Sequence, residues 1–320
     1  VADGAALGRR LRERDRSAAP AALNLIEDRS AQGREERASL LREVSPTALG
    51  DEAPAHLVGL TGPPGAGKST LLSALVREWR GDGRTVAVLA VDPSSRRSGG
   101  SLLGDRARIE HEPTDDGVLI RSTAAGGRLG GLAAPTREAA QALAAAYDVV
   151  VVETVGVGQS ETDVEEVCDT VAVVVQPGSG DTLQFLKAGI MEVPDVLVVT
   201  KADLGDIALR ARQDLTQAAR ALGSREVPVV AVSSISPPSG ITELVQALDA
   251  HRSGLDLSAR RLRSRRMMAL GELVAEDGET ALRALGGRRE SERLLAKLDP
   301  ELDVAGLLDA LRSLVRKGGG

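Results

Sequence analysis

Aromatic residues are almost missing from this 320-residue chain, which holds one Trp, one Tyr and one Phe, at Trp79, Tyr147 and Phe185. Its core must therefore be built from Val, Leu, Ala and Ile. Cysteine is equally scarce. The lone Cys168 excludes an internal disulfide framework, and beside the apolar run Val171–Val175 it reads as an inert, half-buried residue. The three histidines, His56, His111 and His251, stand far apart, none at metal-ligand spacing, and all read as surface residues rather than catalysts. No stretch of about eighteen apolar residues exists, so no segment reads as a membrane span. Val1 to Asp28 is charged and has no apolar stretch, which predicts no signal peptide and a cytoplasmic location. An excess of positive charge is lacking too. With 40 basic and 46 acidic residues the net charge is −6, which argues against nucleic acid or an anionic membrane as the main partner.

What the chain does have is order along its length. Residues 1–52 read as an N-terminal amphipathic helical extension, with Leu7, Leu11, Leu23, Ile26, Leu40 and Leu41 recurring among Arg and Glu and a stop at Ser45-Pro46 and Gly50. Residues 53–254 alternate helical patterns with short apolar runs at Leu57–Leu60, Val86–Val91, Val118–Ile120, Val149–Val152, Val171–Val175, Val196–Val199 and Val229–Val232. Continuous rather than alternating runs predict strands covered on both faces, hence an α/β fold with a mostly parallel sheet. Ligands of such sheets sit at the carboxyl ends of the strands. Residues 255–320 read as a C-terminal helical arm. Its stripe from Met267 through Leu270, Leu273, Leu282 and Leu285 to Leu307, Leu308, Leu311 and Leu314 has no evident core of its own, which predicts burial against a second copy. The basic run Arg260–Arg266 reads as the solvated face of a helix, since no aromatics interleave it.

The polar motifs follow the apolar runs. Gly62-Pro63-Pro64-Gly65-Ala66-Gly67-Lys68-Ser69, followed by Thr70, spells G-x-x-x-x-G-K-S between a strand and a helical pattern. This is the setting of a phosphate-binding loop, in which small residues let backbone N–H groups wrap a phosphate and the helix N-terminus faces it. Lys68 then supplies charge to the β- and γ-phosphates, and Ser69 a hydroxyl for Mg²⁺. Asp92 and Glu153 each follow a strand run and offer carboxylates for the same ion. Gly156 can present its N–H to the γ-phosphate and move when that group leaves. Thr200-Lys201-Ala202-Asp203 is similar to the guanine-reading N-K-x-D signature, with Thr in place of Asn. The Asp203 carboxylate can accept from guanine N1–H and the exocyclic amine, and the Lys201 stem can lie over the base. The Thr is expected to weaken one contact to the base or the phosphate loop. Ser233 and Ser234 follow the last run, where a backbone N–H would meet guanine O6.

Together, Gly62–Thr70, Val91–Ser95, Ser98–Arg106, Glu153–Glu161 and Gln176–Asp181 strongly resemble the MeaB/ArgK GTPases, over about residues 55–250. These are chaperones of methylmalonyl-CoA mutase, a cobalamin enzyme, and their human counterpart is the methylmalonic aciduria type A protein. The resemblance implies a SIMIBI-class P-loop GTPase core, Mg²⁺ as cofactor, GTP and GDP as substrate and product, and cobalamin only through the partner mutase. It implies that Asp92, Asp105 and Glu153 cluster around Mg²⁺. It also implies that Asp181–Gly189 forms a third switch loop, in which Gln184 and Lys187 answer the partner. Phe185 and Ala188 depart from the family's usual Gly and Lys, and Ile109–Arg121 matches the family poorly. Partners expected on this basis are an adenosylcobalamin-dependent acyl-CoA mutase, a second copy of the chain and an adenosyltransferase. Two other classes compete. A metal-delivery GTPase would carry Cys or His clusters, which this chain lacks. A small-molecule (transport-system) kinase would need an acceptor pocket and normally ATP, against which Asp203 argues.

Overall fold

The computed structural model describes residues 2–92, 109–124, 132, 134–154, 160–178, 194–221 and 227–318. They form two compact units, Pro54–Leu255 and, separately, Val1–Ala53 together with Asp256–Gly320.

The first unit is built on seven strands: β1 (His56–Thr61), β2 (Val86–Asp92), β3 (Val118–Ala124), β4 (Val149–Thr154), β5 (Thr170–Val175), β6 (Val196–Val199) and β7 (Val229–Ala231). Every pairing is parallel, in the order β3-β2-β4-β1-β5-β6-β7. All seven apolar runs are thus strands. The expected helices cover the sheet, and β1, β4, β5 and β6 are buried along their whole length. On one face Val58, Leu60, Val149, Val151, Ala172, Val174, Val196 and Val198 pack with α5 (Lys68–Gly81) and α9 (Ile241–Ser253). Trp79, 1% exposed, is the largest side chain in that layer. Helices α6 (Ala134–Ala144), α7 (Ser160–Val167) and α8 (Asp206–Ala221) complete the unit. The stretch after residue 108, expected to fit the family poorly, is firmly held. Ile109 enters the core, Glu110 N–H donates to Ser73 Oγ, and Asp115 receives two hydrogen bonds from Arg80.

At the amino ends of the strands the histidine expectation fails. His56, 2% exposed, opens the central strand β1, and Thr170 opens its neighbour β5. Both His56 Nε2 (2.8 Å) and His251 Nδ1 (2.9 Å) contact Thr170 Oγ1. His251 Nε2 lies 3.0 Å from Asp195 Oδ1 and donates to it. The Thr170 hydroxyl thus bridges the two rings, and Asp249 Oδ1 lies 3.7 Å from the other nitrogen of His56, Nδ1. Burial pushes the His56 pKa down, partly opposed by Asp249 and Asp169 and reinforced by Arg252. Burial would raise Asp249, but hydrogen bonds with His56 and Arg84 outweigh it and hold the carboxyl at about 2. The two histidines are far apart in sequence. Parallel pairing is what places β1 and β5 side by side and lets α9 reach both.

The second unit contains α1 (Gly4–Arg12), α2 (Ala19–Glu27), α3 (Ala31–Glu43) and α4 (Pro46–Leu49), with α10 (Leu257–Ala284), α11 (Arg288–Ala296) and α12 (Val304–Gly318). Asp3, Ser30 and Ser45 cap three of the N-terminal helices, each accepting a first-turn N–H. Leu7, Leu11, Leu23, Ile26 and Leu40 are buried. Two expectations are corrected here. The C-terminal stripe does have a core of its own, in which Leu270, Leu273, Leu285, Leu295, Leu307, Leu308 and Leu311 bury against one another. Two short helices following α10 fold back and supply the missing partners. The basic run is not wholly solvated either. Arg261 and Arg265 are 7% and 9% exposed. Arg265 grips Glu52 at 2.9 and 3.1 Å and also donates to Pro300 O, while Arg261 donates to Ala53 O. The extension before the sheet and the arm after it are therefore one structural body. Among the described residues no helix is long and apolar enough to cross a membrane.

Candidate nucleotide site

The carboxyl end of β1, fourth of the seven strands, carries the loop of residues 62–67. Glycine is required there. Gly62 has φ 147°, and a Cβ on it would lie 2.2 Å from Val174 O on the neighbouring strand. Gly67, at φ 87°, is the N-cap of α5 and offers no side-chain cap. A helix start without a side-chain cap is the setting in which first-turn N–H groups serve an external anion. Lys68 is 6% exposed, and its Nζ donates to Gly62 O (2.8 Å) and Pro63 O (3.1 Å), so its charge is held folded over the loop.

Ser69 Oγ donates to Glu153 Oε1 at 3.2 Å. Glu153 stands in register with Leu60 near the end of β4 and is 8% exposed. A hydroxyl and a buried carboxylate are all-oxygen donors and suit a hard cation such as Mg²⁺. Among the described residues no cluster of three or more His, Cys, Asp and Glu side chains is arranged for a metal. Asp92 ends β2, whose neighbour is β4, and its side chain lies outside the described residues. Asp105, Gly156, Gln184, Phe185, Lys187 and Ala188 also lie outside them.

The base-reading residues gather at the ends of β5, β6 and β7. Lys201 adopts a left-handed conformation, φ 55°, and its Nζ donates to Gln176 Oε1 at 2.7 Å. Ser233 Oγ donates to Asp203 Oδ1 at 2.8 Å, and Ala202 N–H donates to Val232 O. Thr200, expected to weaken a contact, keeps the link to the phosphate loop: its hydroxyl lies 2.7 Å from Ala66 O and 3.3 Å from Val175 O. Thr70 and Ser234 line a hollow of about 630 Å³ with Ser73, Arg77, Ile235 and Pro238. Sequence reasoning missed the part played by Gln176. Its signal was its position, directly after the β5 run and level with the start of the T-K-A-D motif. Gly62, Lys68, Ser69, Glu153, Lys201, Asp203 and Ser233 stand on loops, strand ends or the start of α5, at one end of one sheet.

Comparison with known proteins identifies the family. A family model described as methylmalonyl Co-A mutase-associated GTPase MeaB matches residues 19–285. A putative GTPase of Pyrococcus abyssi is 42% identical over 80% of this chain and 78% of its own length. The mitochondrial methylmalonic aciduria type A homolog of Caenorhabditis elegans is 41% identical over 63% of this chain, a match spanning about half, 52%, of that protein. A crystal structure of an LAO/AO transport system kinase superposes with a TM-score of 0.64 at 29% identity, covering 98% of this chain and 97% of that one.

Proposed function

The chain belongs to the MeaB family of methylmalonyl Co-A mutase-associated GTPases, and on that premise we propose that it is a Mg²⁺-dependent GTPase acting as chaperone of an adenosylcobalamin-dependent acyl-CoA mutase. Its cycle gates cofactor loading and protects or reactivates the mutase. The observation that carries the reading is the meeting of the Lys68 loop, the Ser69–Glu153 pair and the Asp203–Ser233 pair at one end of the sheet.

Phosphoryl transfer asks mainly for positioning and charge. The N–H groups of the loop and of the uncapped α5 N-terminus hold phosphate oxygens. Lys68 exchanges the carbonyls of Gly62 and Pro63 for the β- and γ-phosphates. Mg²⁺ would be held by Ser69 and Glu153, with Asp92 and Asp105 as further carboxylates, and would neutralise charge on the β- and γ-oxygens. Asp203 reads the guanine edge, held by Ser233. Gly156 offers its N–H to the γ-phosphate, and Gln184 and Lys187 sense the mutase. These last three roles rest on the sequence motifs. The family resemblance supports a homodimer and an adenosyltransferase as second partner. The apolar C-terminal stripe is no argument for the dimer, because its residues already bury one another.

The test is retrieval of partners from the source cell by the full chain loaded with GTP or GDP, followed by GTP hydrolysis with and without the mutase recovered. The expected outcome is nucleotide-dependent capture of a cobalamin mutase and faster hydrolysis in its presence. Gln184→Ala and Lys187→Ala should keep basal hydrolysis and lose the stimulation. Unchanged hydrolysis with the mutase present contradicts the proposal. A second reading, a small-molecule kinase, draws on the description of the structural neighbour. Appearance of labelled phosphate on an acceptor instead of in solution would favour it.

A further inference from the structure

We propose that Thr200 gives this chain a mode of guanine recognition in which the base's N7 receives no hydrogen bond from the position that would ordinarily supply one. The inference rests on the guanine-reading assignment above and deepens it.

A threonine hydroxyl has one proton, whereas an asparagine amide has two N–H donors. At this position an asparagine can tie itself to the phosphate loop with one N–H and keep the other for a purine. Thr200 has no such surplus. Its hydroxyl lies 2.7 Å from Ala66 O and 3.3 Å from Val175 O, and the residue is 3% exposed. Whichever carbonyl takes the proton, it stays within the protein. The one proton of the Ser233 hydroxyl is also committed, to Asp203, and the Lys201 ammonium is drawn toward Gln176 Oε1. Guanine N7 is an acceptor on the edge away from N1 and N2. Asp203 reads the N1–H and amine edge and cannot serve N7. The tie between base loop and phosphate loop is thus retained, and the N7 contact is given up.

The consequence is an insensitivity. In 7-deazaguanine N7 is replaced by C–H, which costs affinity only where a protein donor loses its acceptor. The experiment is competition of GDP, 7-deaza-GDP and ADP for the site of the full chain and of its Thr200→Asn variant. The parent should bind 7-deaza-GDP within about twofold of GDP, since no donor is stranded. Thr200→Asn should prefer GDP over 7-deaza-GDP by about three- to tenfold, the worth of one neutral hydrogen bond. A parent that disfavours 7-deaza-GDP by the larger factor, while still rejecting ADP, overturns the inference and leaves the guanine assignment intact. Competition by ADP equal to GDP overturns the assignment and the inference with it. If the variant does not fold, the parent's GDP to 7-deaza-GDP ratio decides alone.

Discussion

Replacing Thr170 by Val tests the buried bridge beneath the nucleotide-bearing strand. The two side chains are nearly isosteric, so packing is preserved and only the hydroxyl is lost. That hydroxyl is in contact with His56 Nε2 at 2.8 Å and His251 Nδ1 at 2.9 Å, and Thr170 is completely buried. Both ring nitrogens, His56 Nε2 and His251 Nδ1, lose their hydrogen-bond partner. Each buried group deprived of a partner costs about 1–3 kcal/mol, so the sum is about 2–6 kcal/mol. For a unit of this size one kcal/mol moves the midpoint by about 2–4 °C, which gives a fall of roughly 4–24 °C. Thr170→Ser is the control. It keeps the bridge and loses one methyl, worth about 1 kcal/mol. The assay is thermal unfolding of both variants and the parent near pH 7.5, followed by circular dichroism and by calorimetry. A Val variant as stable as the Ser variant would refute the claim that this oxygen links the two rings.

Three further outcomes follow from the same geometry. The His56 pKa is depressed by burial, so as pH falls through about 6.5 the unfolded chain takes up a proton that the folded chain refuses, and stability drops by up to about 1.4 kcal/mol per pH unit. Unfolding midpoints between pH 7.5 and 5.5 should show that loss, and His56→Gln, whose amide can still donate to Thr170, should show less of it. Lys68→Ala removes the charge held over residues 62 and 63 and should abolish GTP hydrolysis and weaken nucleotide affinity, read by phosphate release and by GDP titration. Asp203→Asn should shift preference from guanine toward xanthine nucleotides in competition titrations, because its amide donates where the carboxylate accepted.

Strands were legible because a parallel sheet buried on both faces writes itself as unbroken apolar runs. The phosphate loop was legible because it is contiguous, as Gly62 to Ser69. Long-range pairing was not. His56 reads as a surface residue until Thr170, 114 positions later, is brought beside it. Arg265 reads as solvated until Glu52, 213 positions earlier, is seen to bind it. Motif logic left open which contact of Thr200 is weakened, and the structure shows its hydroxyl reaching Ala66 O of the phosphate loop. The C-terminal stripe looked partnerless because its partners lie beyond a turn at Gly286 and Gly287, both at positive φ, after which α11 and α12 pack back on α10.

The central claim is that the loops at the carboxyl ends of β1, β5, β6 and β7 form a guanine-nucleotide site competent for hydrolysis. The most direct measurement is equilibrium binding of GTP and ATP to the full chain with Mg²⁺, followed by release of phosphate from each. The account predicts binding of GTP far tighter than ATP, and slow release from GTP that Glu153→Gln suppresses. Equal binding of the two nucleotides, or release from GTP that survives intact in Glu153→Gln, would contradict it.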